Sequence, residues 1–360
     1  MRALLSLSVK RAGLGIPNPT QTAQHCNDTS LQCTAPLVES LLEGQQLDVL
    51  EYLKENRTQR EAARSKRGAV ETEVLKELLE SSSNTAKRRL SRAQKTGVWL
   101  TTIPNRLNGT ELSAEEFRDS LRLRYGFQPA ALPKRCDGCQ QKFSVEHALS
   151  CRKGGLILLR HNEVAEEWSR MCSAAHTPSA VSHEPLIPTS EDRMQVGAAA
   201  GTTTVPPESR GDIGCRGFWK RGTTAIFDVR VTDTDAPSYR GQDPVKILAK
   251  QEDEKKGKYL DRCLASRRQF TPLVFSVDGL QGEECQAATR KLAAALSGKW
   301  VRAYSEMCGF VRSRLSFALV RATILCLRGA RDKDPTAPAP MFQWDKGAGA
   351  SLYKGHGIHA

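Results

Sequence analysis

Apolar positions recur at helical spacing through the first third of the chain. VESLLEGQQLDVLEYLKEN (38–56) carries them along one face. ETEVLKELLESSSNTAKRRLSRAQKTG (71–97) reads as a charged helix interrupted by three serines. ELSAEEFRDSLRLRYG (111–126) opens with Ser113 and has Glu116 three residues on. That is a capping box, and it predicts Phe117, Leu121 and Leu123 as a core stripe. Residues 1–130 therefore read as helical and connective. Another helix is expected over 160–175, with Val164, Trp168 and Met171 on one side. HEPLI (183–187) is extended, since Pro185 excludes a helix interior. Residues 189–210 are polar, small and proline-bearing, and read as a flexible insertion. GDIGCRGFWKRGTTAIFDVRVTD (211–233) alternates as two strands joined around Arg221 and Gly222. Asp243 and Pro244 then cap and open a long charged helix. FTPLVFSVD (270–278) is an apolar strand, and helices near 282–297 and 300–328 close the domain. This mixture predicts an α/β domain over 156–330. Residues 331–360, rich in Pro, Gly and Ala, read as a flexible tail.

Composition narrows the function classes. The chain has 360 residues, 39% of them apolar, which suits about two domains with real cores and excludes a disordered protein. No run of eighteen apolar residues exists, so no membrane span is expected. MRALLSLSV lacks the apolar length and cleavage site of a signal peptide. A formal charge of +13 points to a polyanionic partner such as nucleic acid. Lys87, Arg88, Arg89, Arg92 and Lys95 suit either phosphate contact or a solvated helix face. Eleven scattered cysteines fit a reducing compartment better than a disulfide framework.

Four metal-type ligands stand apart from the other cysteines. Cys136 and Cys139 flank two residues, one of them Gly138, which predicts a tight chelating turn. His147 and Cys151 are four apart, which places both on one helical face. Zinc takes four such N and S ligands in a tetrahedron, and a closed set of four is a structural site. Residues 131–155 therefore read as a zinc knuckle.

A second constellation involves acids. The strand TAIFDVRV puts Asp228 and Arg230 on one face, and Asp212 lies on the preceding strand. Two acids converging across a hairpin can hold Mg²⁺ through oxygen ligands, activate a water and stabilise a leaving 3′ oxygen. Lys255 and Lys258, with Tyr259 beside them, are candidates for offsetting phosphate charge. Glu163 is a further candidate ligand, or a solvent-facing acid. Acids and lysines of this kind are also common on plain surfaces.

The order of these features resembles the C-terminal end of a site-specific non-LTR retrotransposon polyprotein, over about residues 130–330. In that family a CCHC zinc knuckle is followed by a glycine pair and an RHN segment, here Gly154-Gly155 and Arg160-His161-Asn162. The resemblance implies a restriction-like endonuclease of the PD-(D/E)xK group, a mixed sheet flanked by helices. Asp212, FDVRV around Asp228 and EKKGKY (254–259) match its motif, the lysine being displaced to the later helix. It also implies DNA nicking that primes reverse transcription, structural Zn²⁺, catalytic Mg²⁺, and a nuclear location. DNA is the partner, with element RNA as a second candidate, and Arg160, His161 and Arg230 are the expected nucleic-acid contacts. The chain departs from the family pattern in three ways: Gly211 replaces a proline, Arg230 replaces a lysine, and the segment before Asp212 is lengthened. Arginine stays protonated, so it can stabilise charge but cannot act as a base. GLGIPNP (13–19) resembles the stretch after a reverse-transcriptase palm, yet the chain has no Asp-Asp pair and so no polymerase signature. It is read as a C-terminal piece or a truncated frame. The alternatives are a nuclease-dead nucleic-acid-binding fragment and a decayed copy.

Overall fold

The computed structural model describes residues 1–187 and 210–331. Among the described residues the protein is mixed α/β, with eleven helices and one four-stranded mixed sheet. None of these helices is long and apolar enough to cross a membrane. The insertion read over 189–210 lies outside the described residues except for Arg210, as does the tail after Arg331. The chain divides into two compact units, residues 1–100 and residues from 101 onward.

The first unit contains α1 (Arg2–Ser6), α2 (Pro19–Glu43), α3 (Val49–Glu80) and α4 (Asn84–Lys95). The apolar periodicity over 38–56 spans a break. Gly44, at φ +63°, ends α2, and Asp48 caps α3 by accepting from the N–H groups of Leu50 and Glu51. The three serines interrupt the helix as expected: Ser81 closes α3 and Ser83 caps α4. Arg92 is buried, so the basic cluster on α4 is not one solvated face.

The second unit follows the one-turn helix α5 (Val98–Thr101). Helix α6 (Ala114–Tyr125) carries the expected capping box: Glu116 N–H donates to Ser113 Oγ, and Ser113 N–H to the Glu116 carboxylate at 2.7 Å. Its packed face differs from the expected stripe. Phe117 is exposed, Leu121 and Leu123 are only half-buried, and Asp119, Ser120 and Arg124 are buried instead. The cause is ionic. Arg328 Nε donates to Asp119 at 2.8 Å, and its Nη2 donates to the Ala130 carbonyl at 2.8 Å.

Helices α7 (Val145–Ser150) and α8 (Leu156–Ala175) lead into the sheet. Strands β1 (Val181–His183), β2 (Ile213–Arg216) and β3 (Thr224–Thr232) are antiparallel neighbours. Helix α9 (Pro244–Ala265) crosses back to β4 (Gln269–Ser276), which runs parallel to β3. Pro272 is tolerated because β4 is an edge strand. Helices α10 (Glu283–Trp300) and α11 (Tyr304–Arg328) complete the unit. One sheet face packs on α8, α10 and α11, with Val164, Trp168, Met171, Leu292, Val311 and Leu315 in the core. Trp168 meets Phe227 edge-on at 5.4 Å between ring centroids. Helix α9 covers the other face, where Tyr259 and Cys263 join Ile226 and Phe270.

Helix α9 is also tied to β3 by polar pairs. Asp228 meets Lys255, Arg230 meets Glu254 at 2.8 Å, and Thr232 donates to Gln251 at 2.6 Å. The strand positions rise from 228 to 232 as their partners fall from 255 to 251, so helix and strand run antiparallel here and about one helical turn serves all three pairs. One residue of α9 closes the next helix. Buried Glu252 accepts from the N–H groups of Glu283, Glu284 and Cys285 at 3.2, 3.1 and 3.4 Å. Those donors would otherwise be orphaned at the start of α10. Burial pushes the Glu252 carboxyl above its usual range, and the three N–H groups oppose that shift. A Cβ at Gly282 would collide with this carboxylate.

Glu252→Ala strands these donors, and the expected loss is about 2 kcal/mol of stability. Urea unfolding of the full chain checks it; an unchanged midpoint would remove the cap from the account.

Candidate metal centres

The first centre forms where a short turn meets one turn of helix. Residues 134–143 fold back on themselves: Cys136 N–H donates to the Gln141 carbonyl at 2.9 Å, and Gln140 N–H to the Cys136 carbonyl at 2.8 Å. Gln140, at φ +62°, is the left-handed residue of this turn. Gly138 has another purpose than the one its sequence position suggested. A Cβ there would lie 2.8 Å from Arg331 Cβ, so Gly138 makes room for a neighbouring chain segment. Ser144 caps α7 by accepting from His147 N–H at 3.0 Å, and this orients the second ligand pair.

The four ligand atoms of Cys136, Cys139, His147 and Cys151 all lie within 4.8 Å of one another. Cys136 Sγ is 3.9 Å from Cys151 Sγ, Cys139 Sγ is 3.9 Å from Cys151 Sγ, and Cys139 Sγ is 3.3 Å from His147 Nε2. Zinc–sulfur bonds of about 2.3 Å in a tetrahedron put sulfurs about 3.8 Å apart. The spacing suits a metal such as zinc and is far too long for disulfides. Burial raises the Cys136 thiol, but hydrogen bonds from His147 and from the backbone at Cys139 and Gly138 outweigh it and bring the pKa down to about 6. A thiol that ionises readily is the form a metal needs.

Arg331 seals this centre from behind. It is 1% exposed, its guanidinium lies 5.5 Å from the Phe143 ring centroid, and Nη2 donates to the Ala148 carbonyl at 3.1 Å. Its backbone N–H donates to Asp137 at 2.5 Å. Gly154, at φ +71°, lets this residue approach; a Cβ there would lie 2.5 Å from Arg331 Cα. Residue 331 therefore belongs to the packed unit rather than to the tail.

The second centre sits at the open end of the β2–β3 hairpin. Asp212 lies one residue before β2 and continues its ladder, with its N–H donating to the Phe227 carbonyl at 2.9 Å. Its Oδ2 accepts from Val229 N–H at 2.5 Å. That register sets it across from Asp228, which is 5% exposed in the middle of β3. Burial raises the Asp228 carboxyl, the Asp212 charge adds to that, and Lys255 and His161 counter it. Lys255 forms an ion pair with Asp228 Oδ2. His161 Nε2 is 3.1 Å from Asp212 Oδ1. Burial lowers the His161 pKa, but Asp212 and then Asp228 raise it by more. Two carboxylates converging from neighbouring strands are an all-oxygen donor set, which suits a hard cation such as Mg²⁺.

The remaining candidates separate. Lys258 lies over the Tyr259 ring, 5.0 Å from its centroid. Tyr259 is buried against Phe270, so what it presents to the lysines is a ring face. Arg230 is held by Glu254. Arg160 is buried and donates to the carbonyls of Leu149 and Val231 at 3.2 and 3.3 Å. A guanidinium spent on backbone carbonyls is not offered to a phosphate, which corrects its assignment as a nucleic-acid contact. His161 faces Asp212 rather than solvent, because it shares the inner stripe of α8 with Val164 and Trp168. Glu163, two residues on, points elsewhere and lines a pocket with Glu167, Arg170, Arg314 and Arg321. It is not part of the acid pair. Gly211 is fitted to this chain: a Cβ would collide with Ile226, and its N–H donates to the Pro185 carbonyl at 3.0 Å, which a proline could not do.

No protein-family model matches this chain, and no curated protein does.

Proposed function

We propose that the second unit is a Mg²⁺-dependent DNA-nicking module of a site-specific non-LTR retrotransposon protein, restriction-like in fold, with a structural zinc knuckle. Nicking would supply the 3′ end that primes reverse transcription, in the nucleus, with DNA and element RNA as partners. The observation that carries this reading is Asp228. A carboxylate buried in a central strand costs several kcal/mol unless it is matched, and an apolar residue there would be cheaper. Lys255 matches the Asp228 charge only in part, because Asp212 across the hairpin sets a second carboxylate against it, and a cation that both acids can bind is the reading that uses them together. Mg²⁺, when bound, supplies an activated water and stabilisation of the leaving oxygen. Asp212 and Asp228 would hold it. Lys255 would release Asp228 and turn its ammonium to the phosphate, offsetting charge as the bond breaks. The substitution of lysine by Arg230 then matters less, since α9 delivers an ammonium to the acids from another direction. The +13 charge supplies affinity for the phosphate backbone.

A second reading, nucleic-acid binding without cleavage, draws on the pairing of Arg230 with Glu254, which diverts that guanidinium from the acids. Asp228→Ala distinguishes the two. Nicking of plasmid DNA in Mg²⁺ should disappear, while DNA affinity holds or rises because a repelling carboxylate is gone. A variant that nicks like wild type would remove Asp228 from the catalytic set. If the wild type itself does not nick, Arg230→Lys is the repair to try, and its failure leaves the binding-only reading.

The zinc assignment has its own test. Purified protein should hold one Zn²⁺ per chain by elemental analysis, and Cys139→Ser should lose most of it. Equal zinc in both proteins, or none in the wild type, rejects the knuckle.

A further inference from the structure

Asp212 is the less securely placed of the two acids. It precedes β2, its side chain is 24% exposed, and its backbone is at the open end of the hairpin. Asp228, by contrast, is fixed inside β3. A cation demanding near-octahedral geometry needs both carboxylates held in orientation. Two contacts hold Asp212. Val229 N–H donates to Oδ2, and His161 Nε2 lies 3.1 Å from Oδ1. The first comes from the hairpin itself, so it moves with the element it must steady. The second comes from α8, an independent element whose stripe is locked by Val164 and Trp168 in the core.

We propose that His161 is a positioning residue for Asp212: its Nε2–H holds Oδ1 and thereby fixes the direction from which the carboxylate meets a divalent cation. This rests on the acid pair being the cation site proposed above. Each carboxylate oxygen has two acceptor positions, so one contact on each leaves one on each for the cation. The nitrogen that holds Asp212 spends its N–H on that carboxylate, so Nε2 offers neither a lone pair to a metal nor a donor to a phosphate. Outer partners of this kind change metal affinity by roughly 10–100-fold when removed.

The test uses the full, zinc-loaded chain and Mn²⁺ as the probe, titrated by calorimetry. Wild type should bind Mn²⁺, and Asp212→Asn should abolish the binding. His161→Ala should weaken it about tenfold or more. His161→Gln keeps an amide N–H near the place of Nε2–H and should stay within about threefold of wild type. In nicking assays, His161→Ala should raise the Mg²⁺ concentration for half-maximal rate far more than it lowers the rate at saturating Mg²⁺. Unchanged Mn²⁺ affinity in His161→Ala overturns the positioning role, even if the protein nicks DNA. A His161→Gln variant as weak as His161→Ala also overturns it, because the donor alone would not be what counts. Wild type that binds Mn²⁺ through Asp212 but never nicks leaves the positioning role standing and removes the nuclease. Wild type that binds no Mn²⁺ removes both.

Discussion

The ion pair between Asp228 and Lys255 is the contact on which the second unit is arranged. A buried carboxylate between Phe227 and Val229 cannot stay charged without a cationic neighbour, and the nearest cation on its own strand, Arg230, is engaged by Glu254. The cation therefore has to arrive from outside, on α9. Once Lys255 is placed over Asp228, the antiparallel travel of helix and strand brings Glu254 to Arg230 and Gln251 to Thr232. The same placement buries Tyr259 and Cys263 against Ile226 and sets Glu252 at the start of α10. Site and scaffold are thus not separable here. The helix that carries charge to the acids also closes one face of the core.

The cysteine–histidine cluster has a comparable dual character. Cys136 and Cys151 pack with Phe143, Ile324 and Leu327, so the ligands are themselves part of a small apolar core. Arg331 fills the space behind them, and two glycines, Gly138 and Gly154, are needed to admit it. Neither glycine is needed for a chelating turn as such.

Much of this was legible in the sequence, and what was not has identifiable causes. The ligand spacing of Cys136, Cys139, His147 and Cys151 is local, so a turn and one helical turn are enough to bring the atoms together. The pairing of Asp212 with Asp228 follows from strand alternation and a short hairpin, which are also local rules. Long-range contacts were the weak point. The Phe117 stripe on α6 looked apolar, but the helix docks through Asp119 and Arg328, which are far apart in the chain. Arg160 and His161 share one motif, which suggests one function, yet adjacent helix positions point about 100° apart. One turns to backbone carbonyls and the other to Asp212. Gly44 and Asp48, a stop and a cap, are masked in the sequence by an apolar period that continues through them.

The shared core around Cys136 and Cys151 has a thermodynamic consequence. A metal that fits only the folded arrangement of four ligands stabilises that arrangement by mass action, in proportion to the logarithm of its free concentration. Ile324 and Leu327 lie on α11, and α11 reaches α8 through Arg314, which is 2.5 Å from Glu167. The ligand set is therefore continuous, through packed side chains, with the helix that carries His161. Chelation should be felt as a lower melting temperature for the whole second unit and not as local fraying of one loop. Free-metal activity then behaves as an external variable of the fold, much as denaturant does, but with the opposite sign.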